Sequence, residues 1–143
     1  MADVTQKTGV VMEVMTFIGS APIRQYVEGW PLELIRKRSV EAIAFGVKEG
    51  LPVTYVTEDT TRTPPHALRE LFMAAIDAGA HRLCLCDTLG HATPDGARNL
   101  VEFTRNVIDA TGADLGIYST GHGDRGFALA DALAAMPARA DPI

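Results

Sequence analysis

Aromatic side chains are scarce in this sequence: Phe, Tyr and Trp together supply 6% of it, with a single Trp. A core must therefore rest on Ala, Val, Leu and Ile, since hydrophobic residues still make up 47% of the 143 positions. No run approaches the roughly 20 consecutive apolar residues that a membrane span needs. The N-terminus lacks the basic region and apolar run of a secretory signal, so the expected location is the cytoplasm and no membrane partner is expected. Basic residues are outnumbered, 13 against 18 acidic, for a net charge of −5. That balance argues against a nucleic-acid partner, because a phosphate-binding face needs clustered Lys and Arg. The densest basic run, Arg36-Lys37-Arg38, lies within a helical pattern and reads as a solvated face. Cysteine is limited to Cys84 and Cys86. On a strand they point to the same face, and neighbours this close rarely meet disulfide geometry. They read as small buried hydrophobes in a reducing compartment.

What the chain does contain is an alternation of apolar runs and helical patterns. The apolar runs are Val10 to Ile18, Pro52 to Thr57, Arg82 to Cys86 and Leu115 to Ser119. Between them, Leu34 to Lys48 has helical spacing and stops at Gly50. A second helix opens at Thr63-Pro64-Pro65 and ends at Gly79. A third starts at Thr93-Pro94-Asp95 and stops at Gly112, and Ala128 to Met136 begins a fourth, broken by Pro137. This recurrence is that of βα repeats. It predicts α/β architecture with parallel strands and right-handed crossovers. Half of a (β/α)₈ barrel and a small open doubly wound sheet both fit, and periodicity does not choose between them.

In either architecture ligands bind beyond the carboxyl ends of the strands. Four polar segments collect there: Gly19 to Pro22, Glu58 to Arg62, Asp87 to His91 and Thr120 to Gly126. Their carboxylates and imidazoles suit a metal or carboxylate site. Glu58 and Asp59 are adjacent and face opposite ways on extended backbone, so one points into the site and the other pairs structurally with Arg62. His122 reads either as a transition-metal ligand or as a loop histidine bonded to Asp124. His91 has a weaker claim; His81, at the opposite strand end, reads as surface, and His66 as a solvent-exposed residue of a first helical turn.

Four segments carry a family resemblance: Thr16 to Ile23 (TFIGSAPI), Thr57 to Arg62 (TEDTTR), Cys86 to Pro94 (CDTLGHATP) and Gly121 to Gly126 (GHGDRG). In this order they resemble those of 2-isopropylmalate synthase and its relatives, which include homocitrate and citramalate synthases and hydroxymethylglutaryl-CoA lyase. The resemblance implies a partial (β/α)₈ TIM barrel, strands four to seven, as one catalytic-domain piece over 1–143. It implies a Claisen-type condensation of acetyl-CoA with a 2-oxo acid, assisted by a divalent metal (Mg, Mn or Zn) as Lewis acid. By position Glu58 matches the family's catalytic glutamate of strand five. Thr88 matches a substrate-binding threonine of strand six. His122 matches the second histidine of a metal-binding His-x-His pair on strand seven.

Thr120 stands where the first histidine of that pair falls, and Gly123 where Asn usually follows. The family's strand-one Arg and metal-ligating Asp, and its glycine-rich strand eight, have no counterpart in this sequence. One of the three expected protein ligands remains, so metal binding is expected to be weak or lost and the isolated chain inactive. A half-barrel with two open edges is expected to self-associate as a homo-oligomer. The alternatives are a non-catalytic half-barrel interaction module, a carbon–carbon lyase of the same family, and a small α/β enzyme of unrelated chemistry.

Overall fold

Each apolar run becomes a strand, and a helix follows every one. The computed structural model describes residues 2–138. A short helix α1 (Ala2–Thr8) precedes strand β1 (Val14–Gly19), which is followed by helices α2 (Pro22–Glu28) and α3 (Leu32–Lys48). Then come β2 (Val53–Glu58), α4 (Pro65–Asp77), β3 (Arg82–Asp87), α5 (Pro94–Thr111), β4 (Gly116–Gly121) and α6 (Ala128–Ala135). A 3₁₀ turn over Met136–Ala138 continues from α6, so Pro137 tightens the helix end and does not abolish it.

All strand pairs are parallel and the sheet runs in sequence order, β1-β2-β3-β4. The larger helices form one layer, α3 against α4, α4 against α5 and α5 against α6. Sequential order with helices on one face is a partial (β/α)₈ barrel; a doubly wound sheet would reverse its order and carry helices on both faces.

Strand parity divides the sheet. One face presents Val53, Tyr55, Leu83, Leu85 and Ile117 to the helices, where they pack with Ile35, Ile43, Leu68, Leu71, Phe72, Val101 and Ile108. The buried Tyr55 hydroxyl lies 3.0 Å from Ser39 Oγ, which itself donates to the Ile35 carbonyl at 2.8 Å. Burial pushes the Tyr55 phenol up to about 12, against the lowering effect of the Ser39 bond. The other face carries Phe17, Val56, Cys84 and Tyr118 in one register row and Met15, Thr54 and Arg82 in another. No helix covers this second face among the described residues, and Phe17 is 72% exposed there.

Several local expectations are refined. Thr93 caps α5 as expected, its Oγ1 accepting from Gly96 N at 3.2 Å. Thr63 does not cap α4. Its hydroxyl donates to the Asp59 carbonyl at 3.0 Å and meets Ser20 Oγ at 2.7 Å. His81 is a correction: it is half-buried, with Nδ1 2.9 Å from the Val53 carbonyl and Nε2 3.5 Å from Glu13. Arg82 reaches the same carboxylate at 3.1 Å and lies over the Tyr118 ring at 4.8 Å. Burial alone would raise the Glu13 carboxyl; the bonds from Thr54 and Arg82 outweigh it and hold it below the usual range.

Candidate functional site

The parallel sheet brings all four polar segments to one end. Glu58 is the last residue of β2, Thr88 follows β3 directly, and His122 follows β4 directly. Two of these line one cavity of about 230 Å³, Glu58 and Thr88, together with Arg24, Asp59, Arg62 and an apolar wall of Ile23, Val27 and Leu89. His122 lies at the same end but outside that cavity. Its side chain is 62% exposed, with Nδ1 3.9 Å from Asp124 Oδ2.

The adjacent carboxylates both line this cavity, because the backbone leaves the extended region at Asp59 and does not alternate as a strand would. Asp59 is buried in the left-handed region (φ 58°) and accepts from Arg62 Nε at 2.8 and 3.0 Å. Glu58 faces the cavity, where Arg24 Nη2 donates to its Oε2 at 3.3 Å. Thr88 Oγ1 accepts from the Asp59 amide at 2.8 Å, which leaves its hydroxyl proton free to donate to a ligand. Sequence position alone does not single out Arg24. It is presented by α2, whose start Ala21-Pro22 is legible as an extended residue before a Pro at the first helical position. Gly19 makes room for it, since a Cβ there would lie 2.4 Å from Arg24 Cγ.

The neighbouring loops are held by Asp87. Its carboxylate accepts from the amides of His91 at 3.0 Å and Ala92 at 2.9 Å, and from Thr61 Oγ1 at 3.2 Å. The His122 amide donates to the Asp87 carbonyl at 3.2 Å, tying the β4 loop to the β3 loop. Cys86 pairs in register with Thr120 and is partly exposed, so only Cys84 is fully buried. The Cys84 bond, and to a lesser degree the Thr120 bond, hold the Cys86 thiol down; burial and Glu58 act the other way.

A family model described as HMGL-like matches residues 1–143. The chain belongs to the HMGL-like family. It is 34% identical over 132 residues to a 2-isopropylmalate synthase of Pyrococcus abyssi, covering 91% of this chain and 27% of that protein. It is 31% identical over 122 residues to a homocitrate synthase of Methanocaldococcus jannaschii, covering 84% of this chain and 29% of that one. The chain thus spans less than a third of the length of these relatives. Among solved structures, the HMG-CoA lyase from Brucella melitensis superposes with a TM-score of 0.77 at 15% identity, over 99% of this chain and 50% of that one.

The relatives found by sequence are named as synthases, and the solved lyase shares the fold. The family's divalent metal can be tested against the residues present. Among the described residues no three His, Cys, Asp or Glu side chains come together as a metal site. Glu58 is engaged by Arg24, Asp87 by amides, and Thr120 offers only a hydroxyl beside Cys86. These residues do not complete a site for the metal, and no chemical step is assigned to one.

Among the described residues, the Asp131 carboxylate is one of the buried polar groups without a hydrogen-bond partner. Asp131, on α6, is 6% exposed, and neither carboxylate oxygen is hydrogen-bonded. It faces a cavity of about 30 Å³ also lined by Thr61, Asp87 and Ser119. Burial, and secondarily the Asp87 charge, raise its pKa. The native state therefore holds this proton more tightly than the unfolded chain does. The resulting stability is complete below the ordinary carboxylate pKa and is lost as pH rises through the elevated one. Asp131→Asn is expected to raise stability at pH 7 by about 1 kcal/mol and to flatten that pH dependence. Urea titrations at acidic and neutral pH check this; an Asn variant less stable at neutral pH would sink it.

Proposed function

We propose that this chain is a piece of the catalytic domain of a 2-isopropylmalate synthase-like acyltransferase. It carries the oxo-acid side of the site and does not turn over alone. The observation that supports this most is the cavity at the strand carboxyl ends, where Glu58, Thr88 and Arg24 converge beside an apolar wall. A 2-oxo acid needs a cation for its carboxylate, a hydrogen-bond donor for its oxo oxygen and an apolar surface for its side chain. Arg24, Thr88 and the Ile23–Val27 wall are these three elements.

In the condensation, a C–H bond of the acetyl thioester methyl breaks and its proton passes to a base. The electron pair forms the new C–C bond to the oxo carbon, whose oxygen takes up a proton. Water then cleaves the thioester and releases the thiol. Glu58 is the base in this reading, freed when the substrate carboxylate takes over Arg24. Arg24 and Thr88 hold and polarise the oxo acid, which is positioning and electrostatic work.

Two measurements test the proposal. Titration with 2-oxoisovalerate or pyruvate, followed by amide NMR, is expected to shift Glu58, Asp59, Thr88 and Leu89, with weak saturation lost in Arg24→Ala. Thiol release from acetyl-CoA with the same acids is expected to be absent. Amide shifts scattered away from this cavity would refute the assignment of the site. Thiol release that disappears in Glu58→Ala would refute the claim that the chain is inactive alone.

A further inference from the structure

Asp131 is buried without a counter-charge. Neither of its carboxylate oxygens has a hydrogen-bond partner, and the charge beside it is a second carboxylate, Asp87. Buried charges are normally paired or bound to a cation. Strand parity builds the surroundings. Asp87 continues the helix-side row of Leu83 and Leu85, and Ser119 continues that of Ile117. α6 packs on α5 and β4 and brings Asp131 onto those rows. The cavity between them is walled by β3, β4, α5, α6 and the turn that carries Thr61.

The two carboxylates differ in what they still need. Asp87 accepts from the His91 and Ala92 amides and the Thr61 hydroxyl, which offset its charge. A carboxylate has about four acceptor sites, so Asp87 keeps capacity for a further contact. Asp131 keeps all of its own. Thr61 Oγ1 donates to Asp87 and retains its lone pairs, and Ser119 adds a second hydroxyl. Oxygen acceptors thus surround one uncompensated negative charge. A volume of about 30 Å³ holds one or two water-sized species, since one needs about 10–15 Å³. Mg²⁺ keeps several waters and Ca²⁺ takes about six to eight oxygens, so neither fits. A monovalent ion stripped of its water matches both the charge and the space. Coulomb attraction weakens with distance, so a pair of carboxylates favours sodium over the larger potassium.

We propose that Asp131 and Asp87 bind one sodium ion in this cavity, with the Thr61 and Ser119 oxygens completing its surroundings. The ion joins α6 to the loop after β3. Asp87 already holds that loop through His91 and Ala92, and its carbonyl holds the His122 amide. Sodium therefore fastens the helix after β4 to the end of the sheet where Glu58 and Thr88 lie. The two carboxylates meet only in the folded chain, so sodium binding stabilises it. The inference does not depend on the acyltransferase reading, and its test involves no turnover, so a failure of either leaves the other standing.

Urea unfolding of the full 143-residue chain at neutral pH tests it, with sodium chloride replacing choline chloride at fixed ionic strength. The unfolding equilibrium constant is expected to fall about tenfold once sodium reaches about ten times its dissociation constant, and to level off beyond that. Potassium is expected to act more weakly. Asp131→Asn, which keeps the side-chain shape, is expected to lose the sodium response. Its stability advantage over the parent, expected above, belongs to sodium-free buffer and is expected to shrink as sodium is added. Ser119→Ala is expected to weaken the response without abolishing it. Broadening of the ²³Na resonance by the parent, and much less by Asp131→Asn, gives a readout independent of unfolding. A parent that responds to sodium no more than to choline overturns the proposal, and the cavity then holds a proton or a water only. An Asp131→Asn variant that responds like the parent also overturns it, as does a potassium response equal to that of sodium.

Discussion

Gly90→Ala is expected to lower stability by about 2–5 kcal/mol and to loosen the loop that carries His122, the sum of a backbone and a steric cost. Gly90 follows β3 in the left-handed region, at φ 57°. An L side chain there costs about 1–2 kcal/mol of backbone strain. The larger effect is steric. A Cβ at this position would lie 2.5 Å from the His122 carbonyl oxygen and 3.1 Å from its carbon. Those are backbone atoms and cannot rotate aside as a side-chain end can. Overpacking of this kind costs about 1–3 kcal/mol. Relief requires the β4 loop to move off the β3 loop, breaking the His122 amide bond to Asp87. Urea unfolding measures the first effect, and hydrogen exchange at the His122 amide the second. A variant within about 0.5 kcal/mol of the parent, with His122 protection unchanged, would show that the loops are not packed as described.

Phe72→Ala is expected to cost about 3–5 kcal/mol, the range for removing a fully buried aromatic ring. Phe72 is among the largest fully buried side chains and belongs to the core between helices and sheet. Its neighbour Met73 lies on the exposed side of the same helix turn, so Met73→Ala serves as a control expected within about 0.5 kcal/mol. A protein whose whole stability is about 5–15 kcal/mol loses a large fraction of it through the first change. Equilibrium unfolding of the pair decides the matter. Equal effects at 72 and 73 would mean that α4 does not bury the face described. The contrast also probes the asymmetry of this sheet. The helix-side core is packed, whereas Phe17 on the other face remains open to whatever completes it.

Helix limits were largely legible because their signals are local. Thr93 caps α5 through the Gly96 amide, and Gly112 ends it in the left-handed region, interactions that span a few residues of chain. Strand parity was legible for the same reason. Alternation alone puts Cys84 and Cys86 on one side of β3, and Val56 and Glu58 on one side of β2.

Other features depend on residues far apart in the chain. Arg24 reaches Glu58 only because β1 and β2 are neighbours, across 34 positions. Thr63 carries a capping residue type, yet its hydroxyl is taken by Ser20, 43 positions away. Asp131 has the sequence signature of an exposed helical carboxylate, and the packing of α6 on α5 and β4 buries it. His81 sits at a strand start and is drawn into the Glu13–Arg82 cluster.

By itself the sequence determined the alternation of strands and helices, the end of the sheet where the polar segments gather, and the segments that mark the HMGL-like family. The tertiary structure alone decided between barrel and open sheet, which carboxylates face a cavity, and which apolar faces stay uncovered. The physical reason is that periodicity reports only which side of an element is apolar, a property of the element itself. What that side meets depends on the register and order of strands brought together from distant parts of the chain.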